Sequence, residues 1–535
     1  MRFRVWLAGV LAVAAGIRLA LLFQTLSRPE LRDVLLLDSR VYDQMAAKIT
    51  AGSLLAGSEA FSLAPLYAYF VALVRWLGPA GPGALYGVQQ LLGLASIALV
   101  ALVARRCGGP RAGIAAAVLI AFYGAMEMFE VKLMSSTLAT FLSLASLALL
   151  LLARDRRWTV GAALSGLVLG AACLARPNTL LFAPIAVCWW IWAANLNLPG
   201  DNRTGKPIAG AIALCCGIVL AIVPATLRNY SVTGEFTLIS SQAGITFFHG
   251  NNSEAYGLYA LSGAISGNPL TQPADQRRVA EQAAGEALTQ SGVSRYWFGR
   301  GLEFLTADPA RAAGLMLRKL GFWLSSDEVP VDYSLPAERE LTSALWLAPV
   351  PFGLILALAF LGFRSPSWRE PPRVLLYGFV LANLSTVLIF YFASRYRVPA
   401  VPVLAALAGC GVVETGALMR RSRTQLVAWL LPGVLIAALS LHSWTDDLSQ
   451  SAAAQFFNYG NIYTREKQPA LAIASYLRAL PGLGHMAQLH VNLADAYTSV
   501  GEHEGAVRHL EQALKIRPRA PKVRRALREA RKILK

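Results

Sequence analysis

The sequence predicts an all-α polytopic membrane protein with a soluble helical tail, and three observations predict it. Of 535 residues, 55% are hydrophobic and 15% charged, with a mean hydropathy of +0.48. A soluble protein of this size carries roughly a quarter charged residues. Apolar stretches recur from residue 5 to about 441 and then stop. The remaining residues read as ordinary soluble sequence containing an internal repeat.

A bilayer core takes about twenty apolar residues as a helix. Eleven stretches are expected to span: 5–23, 84–103, 112–126, 133–153, 158–174, 179–194, 208–227, 345–363, 373–393, 397–418 and 425–441. The stretch 61–78 is apolar but shorter, holds Pro65 and Arg75, and is expected to be interfacial or re-entrant. The first span follows Arg2 and Arg4 with no small-residue cleavage site, which favours a retained helix over a signal peptide.

Lys and Arg in short loops set the orientation. With a cytoplasmic N-terminus, the inside loops carry Arg105, Arg106 and Arg111, then Arg154, Arg156 and Arg157, then Arg203 and Lys206, then Arg364, Arg369 and Arg373, and finally Arg420, Arg421 and Arg423. The short outside loops carry only Lys132, Arg176, Arg395 and Arg397. The segments 24–83 and 228–344 are then outside, and an odd span count puts the tail outside too. The expected division is 1–227, a mixed extracytoplasmic loop at 228–344, further spans at 345–441 and the tail at 442–535. The expected location is the cell inner or plasma membrane.

Within the tail, Asn458, Tyr463, Ala472, Tyr476, Ala479 and Leu480 recur 34 residues later as Asn492, Tyr497, Ala506, Leu510, Ala513 and Leu514. Small residues at fixed positions let paired helices approach, and large ones fill the gap between them. That spacing is tetratricopeptide spacing. The basic segment 519–534 is expected to cap the second copy. Such repeats bind a protein partner by default, contain no clustered acid or base, and are expected to be separable from the membrane part.

Net charge is +18, and residues 515–535 supply ten basic groups against Glu529 alone. A basic helix tied to a bilayer reads as a binder of membrane lipids with anionic headgroups. Nucleic acid is not an expected partner. Six cysteines lie in or beside apolar spans with no CxxC, so neither a disulfide framework nor a zinc site is expected. No metal-ligand spacing occurs, and no metal or cofactor is expected.

Polar residues of chemical interest sit at the outer ends of the spans. After the first span the chain runs Leu37-Asp38-Ser39-Arg40-Val41-Tyr42-Asp43 and later Ala64-Pro65-Leu66-Tyr67. Asp38 taken alone could equally cap the helix that follows it. Further on come Arg176-Pro177, then Gly244 to Asn252 with His249 and Asn251, then Arg318-Lys319 before Asp327-Glu328-Val329-Pro330, then Arg395-Tyr396-Arg397-Val398-Pro399.

In order and outside placement, these elements resemble the protein O-mannosyltransferase and aminoarabinose-transferase group of the GT-C glycosyltransferase superfamily, over nearly all of residues 1–420. The resemblance implies a GT-C membrane fold and an enzyme that takes a sugar from a polyprenyl-phosphate carrier. The acceptor would be a hydroxyl of a protein, lipid or glycan outside the membrane. It implies Asp38 as base in one inverting displacement. Lys132, Arg176, Arg395 and Arg397 would serve the carrier phosphate, with Tyr42, His249 and Asn251 as further donor-binding candidates. Two departures stand out. Ser39 occupies a position that is often acidic in relatives. Ser135 and Ser136 lie where a second acid is common, leaving that role open between Glu127 and Glu130, of which Glu130 is carried as candidate. Asp43 is the other acid of the first loop, about 140° round a helix from Asp38.

The chemistry agrees with these types. Phosphate is a good leaving group, so no strong acid is needed. A carboxylate can take the acceptor proton, and cations can hold the developing phosphate charge. Two other readings are a tetratricopeptide scaffold with an inactive transferase part and a polysaccharide ligase or polymerase.

Overall fold

The computed structural model describes residues 2–78, 81–156, 158–196, 207–259, 265, 271–444 and 448–534. Arg157, Arg203 and Lys206 of the inside loops lie outside the described residues. In chain order come α1 (Arg2–Ser27), α2 (Pro29–Arg32), α3 (Leu37–Thr50), α4 (Leu66–Leu77), α5 (Pro82–Ala121), α6 (Gly124–Glu130), α7 (Ser136–Asp155), α8 (Thr159–Ala175), α9 (Phe182–Ala194) and α10 (Pro207–Thr233). Next are α11 (Ala243–Gly250), α12 (Gln272–Ala284), α13 (Gln290–Ala307), α14 (Pro309–Leu324) and α15 (Leu335–Leu341). Last come α16 (Phe352–Phe363), α17 (Pro371–Ile389), α18 (Ser394–Arg397), α19 (Val401–Leu418), α20 (Arg423–Leu441), α21 (Leu448–Arg465), α22 (Pro469–Leu483), α23 (Ala487–Ser499), α24 (His503–Ile516) and α25 (Pro521–Ile533).

The protein is all-α. The described residues contain no strand, only two isolated bridges, Tyr123 with Pro349 and Leu258 with Phe392. The segment 228–344, expected to be mixed, contains helices joined by irregular chain and no strand among its described residues. Two of its helix starts carry side-chain caps: Thr289 at the start of α13 accepts from the Gly292 amide at 3.2 Å, and Asp308 at the start of α14 from the Arg311 amide at 3.0 Å.

Eight helices among the described residues are long and apolar enough to cross a membrane, and α4, α8 and α16 are apolar but shorter. The chain is thus a multi-pass membrane protein. Each of the eleven expected spans falls on a helix, but lengths alone do not fix their number. For example, the 12 residues of α16 rise only about 18 Å. Conversely, α5 serves two expected spans. Gly109 breaks it with φ 81°, just before Pro110. A side chain at Gly113 would then meet the Ala101 carbonyl at 2.6 Å. Twelve residues of continuous helix would separate them by about 18 Å, so the two legs double back on each other.

Close helix approach needs small residues where lipid offers no hydrophobic drive. Gly166 and Gly170 on α8 face α10 so tightly that a Cβ on Gly166 would lie 2.1 Å from the Leu214 carbonyl. On α10, Gly217 reciprocates with 2.2 Å to Ala163 O.

The chain forms two compact units. Unit 1 comprises 1–23, 37–327 and 344–444; unit 2 comprises 24–36, 328–343 and 445–535. In unit 1, groups from the expected inside loops meet one another. Arg106 pairs with Asp155 at 3.2 Å, Arg373 donates to Cys107 O at 2.9 Å, and Arg154 donates to Ala193 O at 3.3 Å. The expected outside groups likewise meet. Arg228 donates to Leu55 O at 2.8 Å, Gly57 O at 2.8 Å and Glu59 O at 2.5 Å, pinning the loop between α3 and α4.

Unit 2 holds two helical hairpins, α21–α22 and α23–α24, with α25 packed on α24. Ala472, Ala479, Ala506 and Ala513 are buried, as the repeat spacing requires. The copies differ in a compensating way. Gly460 and Tyr476 of the first stand where the second has Ala494 and Leu510. A Cβ on Gly460 would sit 2.3 Å from the Tyr476 ring, whereas the smaller Leu510 leaves room for Ala494. Gly460→Ala is therefore expected to destabilise the first hairpin by about 1–3 kcal/mol, and Tyr476→Leu in the same chain to recover most of that. Thermal unfolding of the tail checks this, and additive losses in the double variant would refute the pairing.

The other end of the repeat array is covered by chain from far upstream. On α15, Glu338 is buried and accepts from Gln455 Nε2 at 2.8 Å, while the Ser334 amide donates to Gln455 Oε1 at 2.5 Å. Two repeats are few for independent stability, and residues 328–343 complete them. A chain ended near Ser443 would therefore strip Glu338 of these partners rather than remove a self-contained module.

Candidate active site

Asp38 is the second residue of α3 and Leu37 its first, with a left-handed φ of 37°. That backbone is uncommon for a leucine, and it turns the chain sharply into the helix. A carboxylate in a first helical turn is favoured by the helix dipole. The Asp38 carboxylate accepts from Arg395 Nη1 at 2.7 Å, with Asp38 26% and Arg395 9% exposed. This pair joins positions 357 residues apart. The carboxylate is therefore held in place yet still reachable.

Arg176, at the end of α8, donates to the Arg395 carbonyl and, at 3.1 Å, to Ser136 Oγ at the start of α7. The Tyr396 ring lies under both guanidinium groups, 5.3 Å from Arg176 and 5.2 Å from Arg395. Its hydroxyl bonds that of Tyr391 at 2.9 Å, and Tyr391 continues through Tyr259 to His249 with ring centroids 5.4 and 5.0 Å apart. Among the described residues, two arginines against one carboxylate give this cluster a cationic surplus, suited to an anion. Beside Arg176 and Tyr396 a small pocket, also lined by Asn178, Thr179 and Asn383, has room for little more than a water molecule.

Tyr42 lies one turn after Asp38 and is buried. Burial, with the Asp38 carboxylate adding to it, pushes its phenol up to about 12, so it stays a neutral hydrogen-bond donor. Its ring meets Tyr67 edge-on at 4.9 Å, which unites the two halves of the first-loop motif. Tyr67 in turn donates to Gln89 Oε1 at 2.6 Å, and Gln89 Nε2 donates to the carbonyls of Glu130 and Lys132, both at 2.9 Å. Lys132 is buried on that fixed turn.

Other expected residues are engaged elsewhere. Asp43 pairs with Arg75 of α4, both about one-third exposed. Asn251 spends its amide on Phe247 O at 2.8 Å and Ile389 O at 2.7 Å, and its carbonyl on Lys319 Nζ at 3.0 Å. Lys319 is itself buried, which pulls its ammonium down to about 7. Arg397 donates to Trp323 O at 3.0 Å and Asp327 O at 3.2 Å and lies 3.7 Å over Phe352, so it braces the chain after α14.

Glu130 belongs to a buried triad that the sequence reading did not single out. Arg18 of α1 bonds Glu130 at 2.8 Å and Glu127 at 3.2 Å, with none of the three more than 1% exposed. Gly93 makes the space, since a Cβ there would lie 2.0 Å from Glu130 Oε1. An arginine inside an otherwise apolar span was the available signal.

Comparison with known proteins adds two family matches. Residues 62–224, less than a third of the chain, match the family described as dolichyl-phosphate-mannose-protein mannosyltransferase. Residues 489–524 match the tetratricopeptide repeat. The first match includes Glu130, Lys132 and Arg176 but not Asp38 or Arg395. No curated protein matches. Among solved structures, the Archaeoglobus fulgidus oligosaccharyltransferase in its apo form is similar at 15% identity and a TM-score of 0.46, over 86% of this chain and 60% of that one. The archaeal oligosaccharyltransferase AglB from the same organism, in complex with an inhibitory peptide and a dolichol-phosphate, is similar at 16% identity and a TM-score of 0.41, over 87% and 60%. The chain spans about 60% of the length of these enzymes.

Proposed function

We propose that this chain, with a mannosyltransferase-family match over 62–224 and a tetratricopeptide repeat in its tail, is a membrane glycosyltransferase of the GT-C type. It moves a sugar from a polyprenyl-phosphate carrier to an acceptor hydroxyl on the extracytoplasmic face. The observation that carries the reading is the 2.7 Å contact between a partly exposed Asp38 and Arg395, with Arg176 against the same residue. One cluster thus offers a base and two phosphate-holding cations.

In the reaction the acceptor oxygen attacks the anomeric carbon. The bond from that carbon to the phosphate oxygen breaks, and its electron pair leaves with the polyprenyl phosphate. Asp38 takes the acceptor proton, while Arg395 and Arg176 stabilise the phosphate charge. A single displacement inverts the anomeric centre. Before substrate arrives, Arg395 is occupied by Asp38, and a carrier phosphate competes for that guanidinium. Carrier binding therefore frees Asp38 for the acceptor, which favours donor before acceptor. Tyr42, Lys132 and His249 remain donor-side residues in this reading. Asp43, Asn251, Arg397 and Glu130 hold structure around it.

Asp43 separates the two acids of α3. Its half-open pair with Arg75 is worth about 0–1 kcal/mol, so Asp43→Asn is expected to keep turnover within a few-fold of wild type. A loss as deep as that of Asp38→Asn would move the base to Asp43. The reading as a whole is tested by mass spectrometry of surface glycans and glycoproteins from cells with and without the protein. One sugar should disappear from one class of acceptor; identical profiles would overturn it.

A further inference from the structure

We propose that the basic face of α25 is a docking surface for an anionic lipid bilayer. The helix is two-sided. Val523, Ala526, Leu527 and Ala530 pack against Ala506 and Leu510 of α24. That leaves Lys522, Arg524, Arg525, Arg528, Arg531 and Lys532 exposed. Among the described residues two acids answer them: Glu529 bonds Arg525 at 2.9 Å and Glu511 bonds Arg531 at 2.8 Å, both pairs well exposed.

The charge belongs to this helix and not to the repeat fold. Residues 448–514 hold four basic groups, Arg465, Lys467, Arg478 and Arg508, against five acidic ones, Glu466, Asp495, Glu502, Glu504 and Glu511, a net of −1. Residues 515–535 hold ten against one, a net of +9. Packing does not need this excess, because the buried stripe is entirely apolar.

Two further observations choose the partner. Ile533 and Leu534, at the end of the same helix, are 59% and 45% exposed. Basic groups beside exposed aliphatic ones suit the headgroup boundary of a bilayer. Residues 515–535 contain no aromatic side chain, so they lack the stacking platform that single-stranded nucleic acids use. Unit 2 is also joined to the span-bearing unit by chain connections at 23–24, 36–37, 327–328, 343–344 and 444–445. The bilayer is therefore always within tethered reach, whereas a soluble acidic protein must be recruited from solution.

The test uses the full chain in nanodiscs, with an environment-sensitive dye on Ile533→Cys and the native cysteines replaced. Emission should shift to the blue in discs containing phosphatidylglycerol, not in pure phosphatidylcholine, and the shift should vanish at high salt, as screening requires. It should also be lost in the Arg524→Gln, Arg525→Gln, Arg528→Gln, Arg531→Gln variant, whose apolar stripe is untouched. Equal emission in both lipids, or a shift that survives neutralisation, would overturn the proposal. A shift produced in phosphatidylcholine discs by an added RNA oligonucleotide or by an acidic protein, and not by phosphatidylglycerol, would replace the bilayer with that partner.

Discussion

Asp38→Asn is expected to cut sugar transfer about 100- to 10,000-fold while the protein remains folded and still binds its lipid carrier. Asparagine keeps the shape and can still accept from Arg395, which the carboxylate meets at 2.7 Å, but it cannot take a proton from an acceptor hydroxyl. If Asp38 served only the first turn of α3, the change would be nearly silent, because Asn caps about as well as Asp. The companion change Arg395→Gln separates the two partners. It removes a phosphate-holding cation and releases Asp38, so weaker carrier binding should accompany the slower turnover. Release of polyprenyl phosphate at varied carrier concentration reads both effects. Near-normal transfer by Asp38→Asn would remove the residue from the mechanism.

Arg18→Ala is expected to destabilise the membrane part by about 3–5 kcal/mol, the cost of leaving buried charge without its partner. Glu127 and Glu130 are fully buried and share this one guanidinium. Restoring neutrality should restore the fold, so Glu127→Gln and Glu130→Gln added to Arg18→Ala should recover much of the loss. Gly93→Ala reaches the same triad by sterics, since its methyl would occupy the place of the Glu130 carboxylate. Thermal unfolding followed by tryptophan fluorescence checks the series. An Arg18→Ala protein as stable as wild type would show that the triad contributes nothing.

Local patterns carried most of the fold. Apolar runs marked the spanning helices of unit 1, and the basic loop with Arg105, Arg106 and Arg111 marked the reversal inside α5, where Gly109 breaks the helix. The 34-residue spacing marked both hairpins of the tail. What local pattern could not carry was contact between distant segments. The partnership of Glu338 with Gln455 joins residues 117 apart, so the upstream cover of the repeats left no trace in either stretch. The same limit shaped the site. Asp38, Tyr42, Tyr67, Arg176 and Arg395 could be collected by motif order, and the structure gathers them around two contacts. Arg397 could not be separated from Arg395 by type or loop. Both lie on α18, two residues apart, which is about 200° of helix. One therefore turns toward Asp38 and the other into the carbonyls after α14. Asn251 was legible as a polar residue of the Gly244 to Asn252 stretch, but its use depends on Lys319, 68 residues away.

The most direct test of the glycosyltransferase account is turnover by the purified full chain in nanodiscs, supplied with polyprenyl-phosphate sugars and an extract of surface acceptors. The account predicts release of polyprenyl phosphate in step with sugar transfer, inversion at the anomeric carbon, and loss of both in Asp38→Asn. Release of polyprenyl diphosphate instead, or no release from any carrier by a folded protein, would contradict it.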